Sequence, residues 1–435
     1  GGPGTGKTTV LFSIIRALLL CGQQIEHIAL LAPTGKAAKR MQSVVVQHVD
    51  HVNASSPAEQ RLKELQVYTV HSFLRSKIAI SALRTIIIDE SSMLDTSLFY
   101  KLYLRIRGQG LNTIFCGDTA QLAAVEAGAF LQDIGNTISH QQPANCQLVA
   151  LQQGFRSSNQ IVQVLQQIKK AQSKAFLGLA GADQPLQDHR SRIEIQFYPT
   201  DTSRQRIFLQ NRIRNWITKV YDQDTLEILR LFRHTDLHTN HMDAEWQAQM
   251  ANLYAQLGKY RILALAWDGP GGIRDLNQIA HEALQAHLLT QTTPGTAKFA
   301  SEQPATRHGL PVLVNRNQRD PVLMNGDSAV LLMDASGSHW ALLESEAGLQ
   351  LMPAHQMRSF ETAFVQSVHK SQGSEYDHIE ILLPLRSDHP LPGREIFYTA
   401  VSRARSSVVV CGSQTVIHTC FQRSAQRQTG PLPVT

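Results

Sequence analysis

The residues best equipped for chemistry stand at the head of the chain. Gly1-Gly2-Pro3-Gly4-Thr5-Gly6-Lys7-Thr8 fits G-x-x-x-x-G-K-[ST] in full. In such a loop the glycines let backbone N–H groups curl around phosphates. The lysine supplies a point charge for the β- and γ-phosphates, and the following hydroxyl can ligate Mg²⁺. A chance glycine turn would not be expected to carry every position of that pattern, and Pro3 and Thr5 sharpen the match. The expected ATP contacts therefore run from Gly2, Pro3, Gly4, Thr5 and Gly6 through Lys7 and Thr8 to Thr9.

Four further groups could complete a hydrolytic site. Asp89-Glu90 follows the apolar run 86–88. A strand end would hold Asp89 for the Mg²⁺ shell and leave Glu90 to polarise the attacking water. Adjacent acids are common at strand ends, but downstream of a phosphate loop they supply the two roles that hydrolysis needs. Gly117-Asp118-x-x-Gln121 follows another strand-like run. The Gln121 amide both donates and accepts, so it could sense the γ-phosphate or orient water, with a plain turn as the competing reading. Arg156 and Arg403 are the arginines placed to act across a cleft, where guanidinium groups stabilise the spread charge of phosphoryl transfer. An isolated surface arginine is ordinarily just solvated. His71 and the run His369-Lys370-Ser371-Gln372-Gly373 offer polar and cationic contacts to a nucleic-acid strand. A lone histidine is more often structural. The His234, Asp236, His238, His241, Asp243 group reads as a wet helix–loop surface rather than a metal site.

These groups need a scaffold that brings strand ends together. Strands are expected at 25–32, 85–88 and 111–116, and helices at 10–20 and 35–46. Polar residues at the carboxyl ends of alternating strands indicate a parallel α/β sheet with ligands along that edge. The first domain is placed at 1–150. Helical stretches are expected at 204–220, 243–257 and 275–289, with a buried strand at 261–266 and a turn-rich break at 269–272. Over 308–362 the texture changes to short β runs (311–314, 329–333, 340–343), the pattern of a small β-barrel insertion. Alternation resumes with strands at 363–368, 379–383 and 407–411 and a helix at 395–404. A phosphate loop ordinarily hangs from a strand, and none precedes Gly1 here. The chain is accordingly read as part of a longer polypeptide.

Composition bounds the answer without naming it. The 435 residues are 43% hydrophobic and 17% charged, which suits a globular chain of two or three domains. Lys and Arg number 41 against 35 Asp and Glu, a mild positive excess that permits a polyanionic partner but does not establish one. Five scattered cysteines (Cys21, Cys116, Cys146, Cys411, Cys420) form no Cys-x-x-Cys pair, which points to reduced thiols and a cytoplasmic protein. No apolar run approaches the roughly 18 residues that span a bilayer, so no membrane is expected.

The ordered motifs then carry a resemblance. They are GGPGTGKT, LAPTGKAAKRM (31–41), TVHSF (69–73), IIIDESSMLD (86–95), GDTAQLAAVEAGA (117–129), GFR (154–156), NGD (325–327), VHKSQGSEYD (368–377) and YTAVSRAR (398–405). Their order and phrasing closely resemble the RecD family, alpha subunits of exonuclease V (RecBCD) and superfamily-one helicases that move 5′→3′. The resemblance spans nearly the whole chain and is weakest from about 165 to 255. It implies two RecA-like P-loop NTPase domains with parallel sheets and ATP between them. The second (151–307 and 363–435) would be interrupted by an SH3-like insertion at 308–362. It implies the cofactors ATP and Mg²⁺, with Thr8 and Asp89 at the metal, and the catalytic set Lys7, Glu90, Gln121, Arg156 and Arg403. Gly373 and Glu375 would lie by the nucleotide. Pro33, Thr34, Lys36, His71, Asn325, His369, Lys370 and Ser371 would line the single strand. DNA, as single strands and duplex ends, and the RecB and RecC subunits would be the partners, in recombinational repair. The nuclease of that assembly would reside in another subunit. Two rivals stay open: a stand-alone helicase of the same branch, and a non-translocating DNA-binding module with a vestigial ATPase.

Overall fold

A computed structural model describes residues 1–51, 60–124, 126–152, 154, 159–179, 192–237, 243–290, 307–345 and 348–424. The chain opens with α1 (Lys7–Leu20), followed by β1 (Ile28–Ala32) and α2 (Gly35–His51). Then come β2 (Val67–Thr69), β3 (Thr85–Ile88) and β4 (Asn112–Phe115), with a helix at Thr96–Ile106 between the last two. The four strands form one parallel sheet in the order β2-β1-β3-β4. Both faces of its centre are covered, which is why β1 and β3 are unbroken apolar runs rather than alternating ones. Leu30 and Ile87 pack into the core beneath α1 and α2, while Leu31, Ile86 and Ile88 face the opposite core around Phe73 and Leu98.

This topology does the positioning. All four strands run the same way, so their carboxyl ends meet along one edge. That edge carries Pro33-Thr34 after β1, Val70-His71 after β2, Asp89-Glu90 after β3 and Gly117-Asp118 after β4.

The second half repeats the principle. Helix α3 (Asn159–Lys169) precedes β5 (Arg192–Phe197), neither of them expected from sequence. After helices at Thr202–Val220, Gln223–His234 and Ala244–Lys259 come β6 (Tyr260–Ala264) and α4 (Ile273–Thr290). Seven strands follow: β7 (Leu310–Val314), β8 (Gln318–Arg319), β9 (Val322–Leu323), β10 (Ser328–Met333), β11 (His339–Ser345), β12 (Gly348–Pro353) and β13 (Phe360–Thr362). The chain then returns through β14 (Val365–Ser367), β15 (Tyr376–Leu382), α5 (Arg394–Val401) and β16 (Ala404–Gly412). A parallel sheet in the order β14-β6-β15-β16-β5 carries the fold, and a separate antiparallel sheet runs β12-β11-β10-β7-β13.

The strand expected at 363–368 is realised as β14 (Val365–Ser367), which follows directly on β13 of the other sheet. β13 pairs antiparallel with β7, and β14 pairs parallel with β6. Ala363 and Phe364, between them, are buried, and the Ala363 carbonyl accepts from the buried Arg261 guanidinium at 2.6 Å. The chain thus passes from the last strand of one sheet to the first return strand of the other across only Ala363 and Phe364. The antiparallel sheet is not free-standing either. Leu310, Val312 and Leu331 share a core with Ile262 and Val365 and with Ile213 and Leu253 of the helices.

Candidate nucleotide and DNA site

Local backbone shape explains the phosphate loop. Gly4 (φ 70°) and Gly6 (φ 78°) adopt left-handed conformations that glycine tolerates at little cost, and Gly6 is the N-cap of α1. A helix N-terminus adds its own partial positive charge to the site. The Lys7 ammonium donates to the carbonyls of Gly1 (2.7 Å) and Gly2 (2.9 Å), and the Thr5 hydroxyl donates to Gly2 O (2.8 Å). Pro3 and Thr8 are half-buried and Thr9 is exposed.

Asp89 leaves the end of β3 with its N–H donating to Leu31 O at 3.0 Å. Its Oδ1 accepts from the Glu90 N–H at 2.9 Å. Burial and then the neighbouring Glu90 carboxylate push its pKa up to about 6, against the pull of Lys7 and Arg40. Glu90 has φ 50°, a value that residues with side chains seldom adopt and that tends to mark functional positions. A pair of acids beside a phosphate loop that carries the Thr8 hydroxyl is a donor set suited to a hard divalent cation. Cys116, on the adjacent strand end, is pushed by burial and then by Asp89 up to about 12 and remains a thiol.

The second half closes on this edge. Asp118 is 2% exposed, and its carboxylate accepts from the Tyr398 hydroxyl at 2.9 Å and from the Ala120 N–H at 3.1 Å. The Lys169 ammonium lies 3.9 Å from Asp118 and 5.0 Å from the centre of the Tyr398 ring. Leu122 is gripped twice from across the cleft: its N–H donates to Thr399 Oγ1 at 2.7 Å and its carbonyl accepts from Gln372 Nε2 at 3.0 Å. Gln121 is buried, with its amide 3.5 Å from Asp118 Oδ2.

Arg403 follows α5 and is 3% exposed. It donates to Thr399 O (3.2 Å), Ser374 O (3.3 Å) and Ser402 Oγ (2.9 Å). Burial lowers its pKa, while Glu90, Glu375 and Asp118 pull the other way, so the guanidinium faces carboxylates from both halves of the molecule. Glu375 is clasped between Arg40 (2.7 Å) and Arg405 (3.2 Å), and Arg40 also donates to Gly373 O (3.1 Å). The structure therefore gathers Lys7, Asp89, Glu90, Gln121, Glu375 and Arg403 along one cleft. Arg156 lies outside the described residues, as do His238 and His241.

The residues expected to contact DNA come from both halves of the molecule. Thr34 caps α2 through its hydroxyl, which accepts from Ala37 N at 3.2 Å. Gly35 sits against Met324, where an added Cβ would meet the side chain at 3.1 Å, and Lys36 lies beside Gly326. Lys39 pairs with Asp327 at 2.9 Å, so the Asn325-Gly326-Asp327 turn is tied to α2. Asn325 and His71 are exposed and His369 is half-buried. Lys370 donates to Glu361 (2.6 Å) and Asn315 (3.1 Å). Two residues behave differently from expectation. Ser371 is fully buried with its hydroxyl donated to Val368 O at 2.7 Å, and Pro33 is also buried, so both shape their turns instead of presenting a surface. Sequence reading missed Arg40, Lys169 and Tyr398. Arg40 and Tyr398 stood inside quoted motifs, but Lys169 carries no motif and is visible only through helix packing.

The chain is similar to known proteins over nearly its whole length. The AAA domain family matches residues 1–189, and the UvrD-like helicase C-terminal domain matches residues 362–411. The RecBCD enzyme subunit RecD of Mycobacterium tuberculosis (strain H37Rv) is 31% identical over 99% of this chain and 69% of that protein. The ATP-dependent RecD2 DNA helicase of Deinococcus radiodurans is 24% identical over 98% of this chain but 48% of that protein. The crystal structure of the Pif1 helicase from Candida albicans aligns with 96% of this chain and 91% of that one, at 16% identity and a TM-score of 0.43.

Proposed function

The chain belongs to the RecD family of RecBCD enzyme subunits, and on that premise we propose that it moves 5′→3′ along one DNA strand by opening and closing the cleft between its two parallel sheets. It is an ATP-dependent DNA helicase, the motor subunit that works with RecB and RecC. The stand-alone alternative is not favoured, since RecD subunits are up to 31% identical over 99% of this chain and the RecD2 helicase is 24% identical. The observation that carries the cleft reading is the joint between the halves, where the Tyr398 hydroxyl donates to Asp118 at 2.9 Å and the Leu122 backbone is held by Thr399 and Gln372.

In this reading Lys7 and the loop residues Gly2 to Thr9 hold the ATP phosphates. Thr8 and Asp89 would hold Mg²⁺, which neutralises phosphate charge when bound. Glu90 polarises water and takes its proton on a carboxylate oxygen. Gln121 reports on the γ-phosphate, and Arg403 together with Arg156 stabilises the charge that spreads during transfer. Gly373 and Glu375 lie by the nucleotide. The antiparallel sheet is read as the SH3-like insertion (308–362) that interrupts a second motor domain (151–307 and 363–435), itself following the first (1–150). Thr34, Lys36, His71, Asn325, His369 and Lys370 track the strand, with Pro33 and Ser371 as turn formers behind them. Such contacts are made to phosphates and are sequence-independent. Among the described residues no helix is long and apolar enough to cross a membrane, and we read the protein as cytoplasmic.

The acid's role has a direct test. Glu90→Gln should retain binding of ATP and single-stranded DNA while DNA-stimulated hydrolysis falls roughly 10²- to 10⁴-fold, the usual range for loss of a general base. Hydrolysis within threefold of wild type would remove Glu90 from that role.

A further inference from the structure

We propose that Trp267 is a stacking platform for one base of the single strand, an inference that rests on the reading of this chain as a DNA translocase. Trp267 follows β6, at the carboxyl edge of the second parallel sheet, where ligands of such sheets bind. Its indole is 40% exposed, in a chain with only 4 tryptophans and 6% aromatic residues. The other exposed aromatics among the described residues, Tyr100, Tyr103 and Phe197, lie on the 96–106 helix and at the end of the edge strand β5.

The loop that carries Trp267 is built rather than slack. Ile273 N donates to Ala266 O at 2.9 Å, Arg274 N to Trp267 O at 3.2 Å and Gly272 N to Gly269 O at 2.9 Å. Gly269 (φ 87°) and Gly271 (φ 75°) supply the left-handed turns, and Gly271 N is held by Asp275 Oδ2 at 2.9 Å. A Cβ at Gly272 would come within 2.9 Å of the Trp267 carbonyl, so the turn is packed as tightly as its backbone allows.

The ring also has a cation set against it. Lys370 Nζ stands 5.3 Å from the Trp267 ring centre, fixed there by Glu361 and Asn315. From this pair a polar line continues through Asn317, whose Oδ1 accepts from Asn325 N at 2.7 Å, to Asn325 and then to Lys36 beside Gly326. The line crosses from one half of the molecule to the other. An aromatic face beside a basic, amide-lined track is the combination that binds single strands: the charge follows the backbone, and the ring takes a base of any identity.

The test uses fluorescence anisotropy with a labelled oligo-dT and with an oligonucleotide of the same length made wholly of abasic sites. The intact chain and its W267A and W267F variants are compared at one salt concentration. Stacking on an aromatic ring has an effect of about 5- to 150-fold per base in affinity. We expect W267A to weaken oligo-dT binding by about that factor and W267F to stay within about threefold of wild type. On the abasic strand all three proteins should bind alike. The salt dependence of W267A should match wild type, because no phosphate contact is lost. Unchanged oligo-dT affinity in W267A would overturn the proposal. So would an equal loss on both strands, which would mean that the tryptophan only supports its loop. If the wild-type chain binds neither oligonucleotide, the translocase reading itself fails, a result distinct from either.

Discussion

The Tyr398 hydroxyl donates to Asp118 Oδ2 at 2.9 Å, joining helix α5 of the second half to the loop after β4 of the first. Burial and then the Asp118 charge raise the tyrosine pKa, so the phenol stays protonated and remains a donor. Asp118 is 2% exposed, and a carboxylate so placed needs its donors.

Tyr398→Phe removes one of them and keeps the ring. A hydrogen bond to a buried charged group is worth roughly 1.5–3 kcal/mol, so chemical denaturation should show a loss of about that size. DNA-stimulated ATP turnover should fall as well, because the contact joins the halves beside Gly2 of the phosphate loop, where an added Cβ would meet the Tyr398 hydroxyl at 3.3 Å. A variant with unchanged stability and turnover would mean that the contact is incidental.

Arg403→Ala should leave affinity for a non-hydrolysable ATP analogue within about threefold. Turnover should drop about 10³-fold or more, the scale on which transition-state arginines act. A large loss of nucleotide affinity with turnover preserved would make Arg403 a binding residue. Because the guanidinium is buried and bonded to Thr399 O and Ser374 O, a melting curve on the same sample separates chemistry from unfolding.

Asp89 sets a pH dependence whose sign follows from its environment. Its pKa in the folded chain is raised to about 6, by burial and then by Glu90. In the metal-free protein its contribution to stability is therefore present below the ordinary carboxylate pKa and is lost as pH rises through about 6. A cation favours the ionised form and so must displace the proton. Mg²⁺ titrations in two buffers of different ionisation enthalpy should show proton release near pH 6 that fades by pH 8. Asp89→Asn should abolish it. Proton release that persists in the variant would place the titrating group elsewhere.

How much of this was legible beforehand differs by element. The run 85–88 matches β3 to the residue because four β-branched positions in a row, closed by two acids, leave little else for the chain to do. Helix 35–46 was expected and extends to His51, since nothing in 47–51 breaks it. Strand β5 escaped notice because Arg192, Glu194 and Gln196 give it a polar face, as suits the edge of a sheet. The abrupt change from β13 in one sheet to β14 in the other depends on β14 pairing with β6, about a hundred residues earlier, which no local pattern encodes. The site divides in the same way. Lys7, Asp89, Glu90 and Arg403 were visible as motifs, whereas the clasp of Arg40 and Arg405 on Glu375 and the approach of Lys169 to Asp118 arise only when the halves meet. Ser371 shows the converse: its place in a motif suggested a contact, and burial gives it a turn to hold instead.

The measurement closest to the central claim is single-turnover unwinding of a duplex bearing a 5′ single-stranded tail, set beside the same duplex with a 3′ tail. Wild type and Lys7→Gln are compared, with RecB and RecC present where the assembly requires them and the RecB motor inactivated. The wild-type protein should separate the strands of the 5′-tailed substrate in an ATP-dependent manner, and Lys7→Gln should not. Equal unwinding by both proteins, or a wild-type preference for the 3′ tail, would contradict that claim.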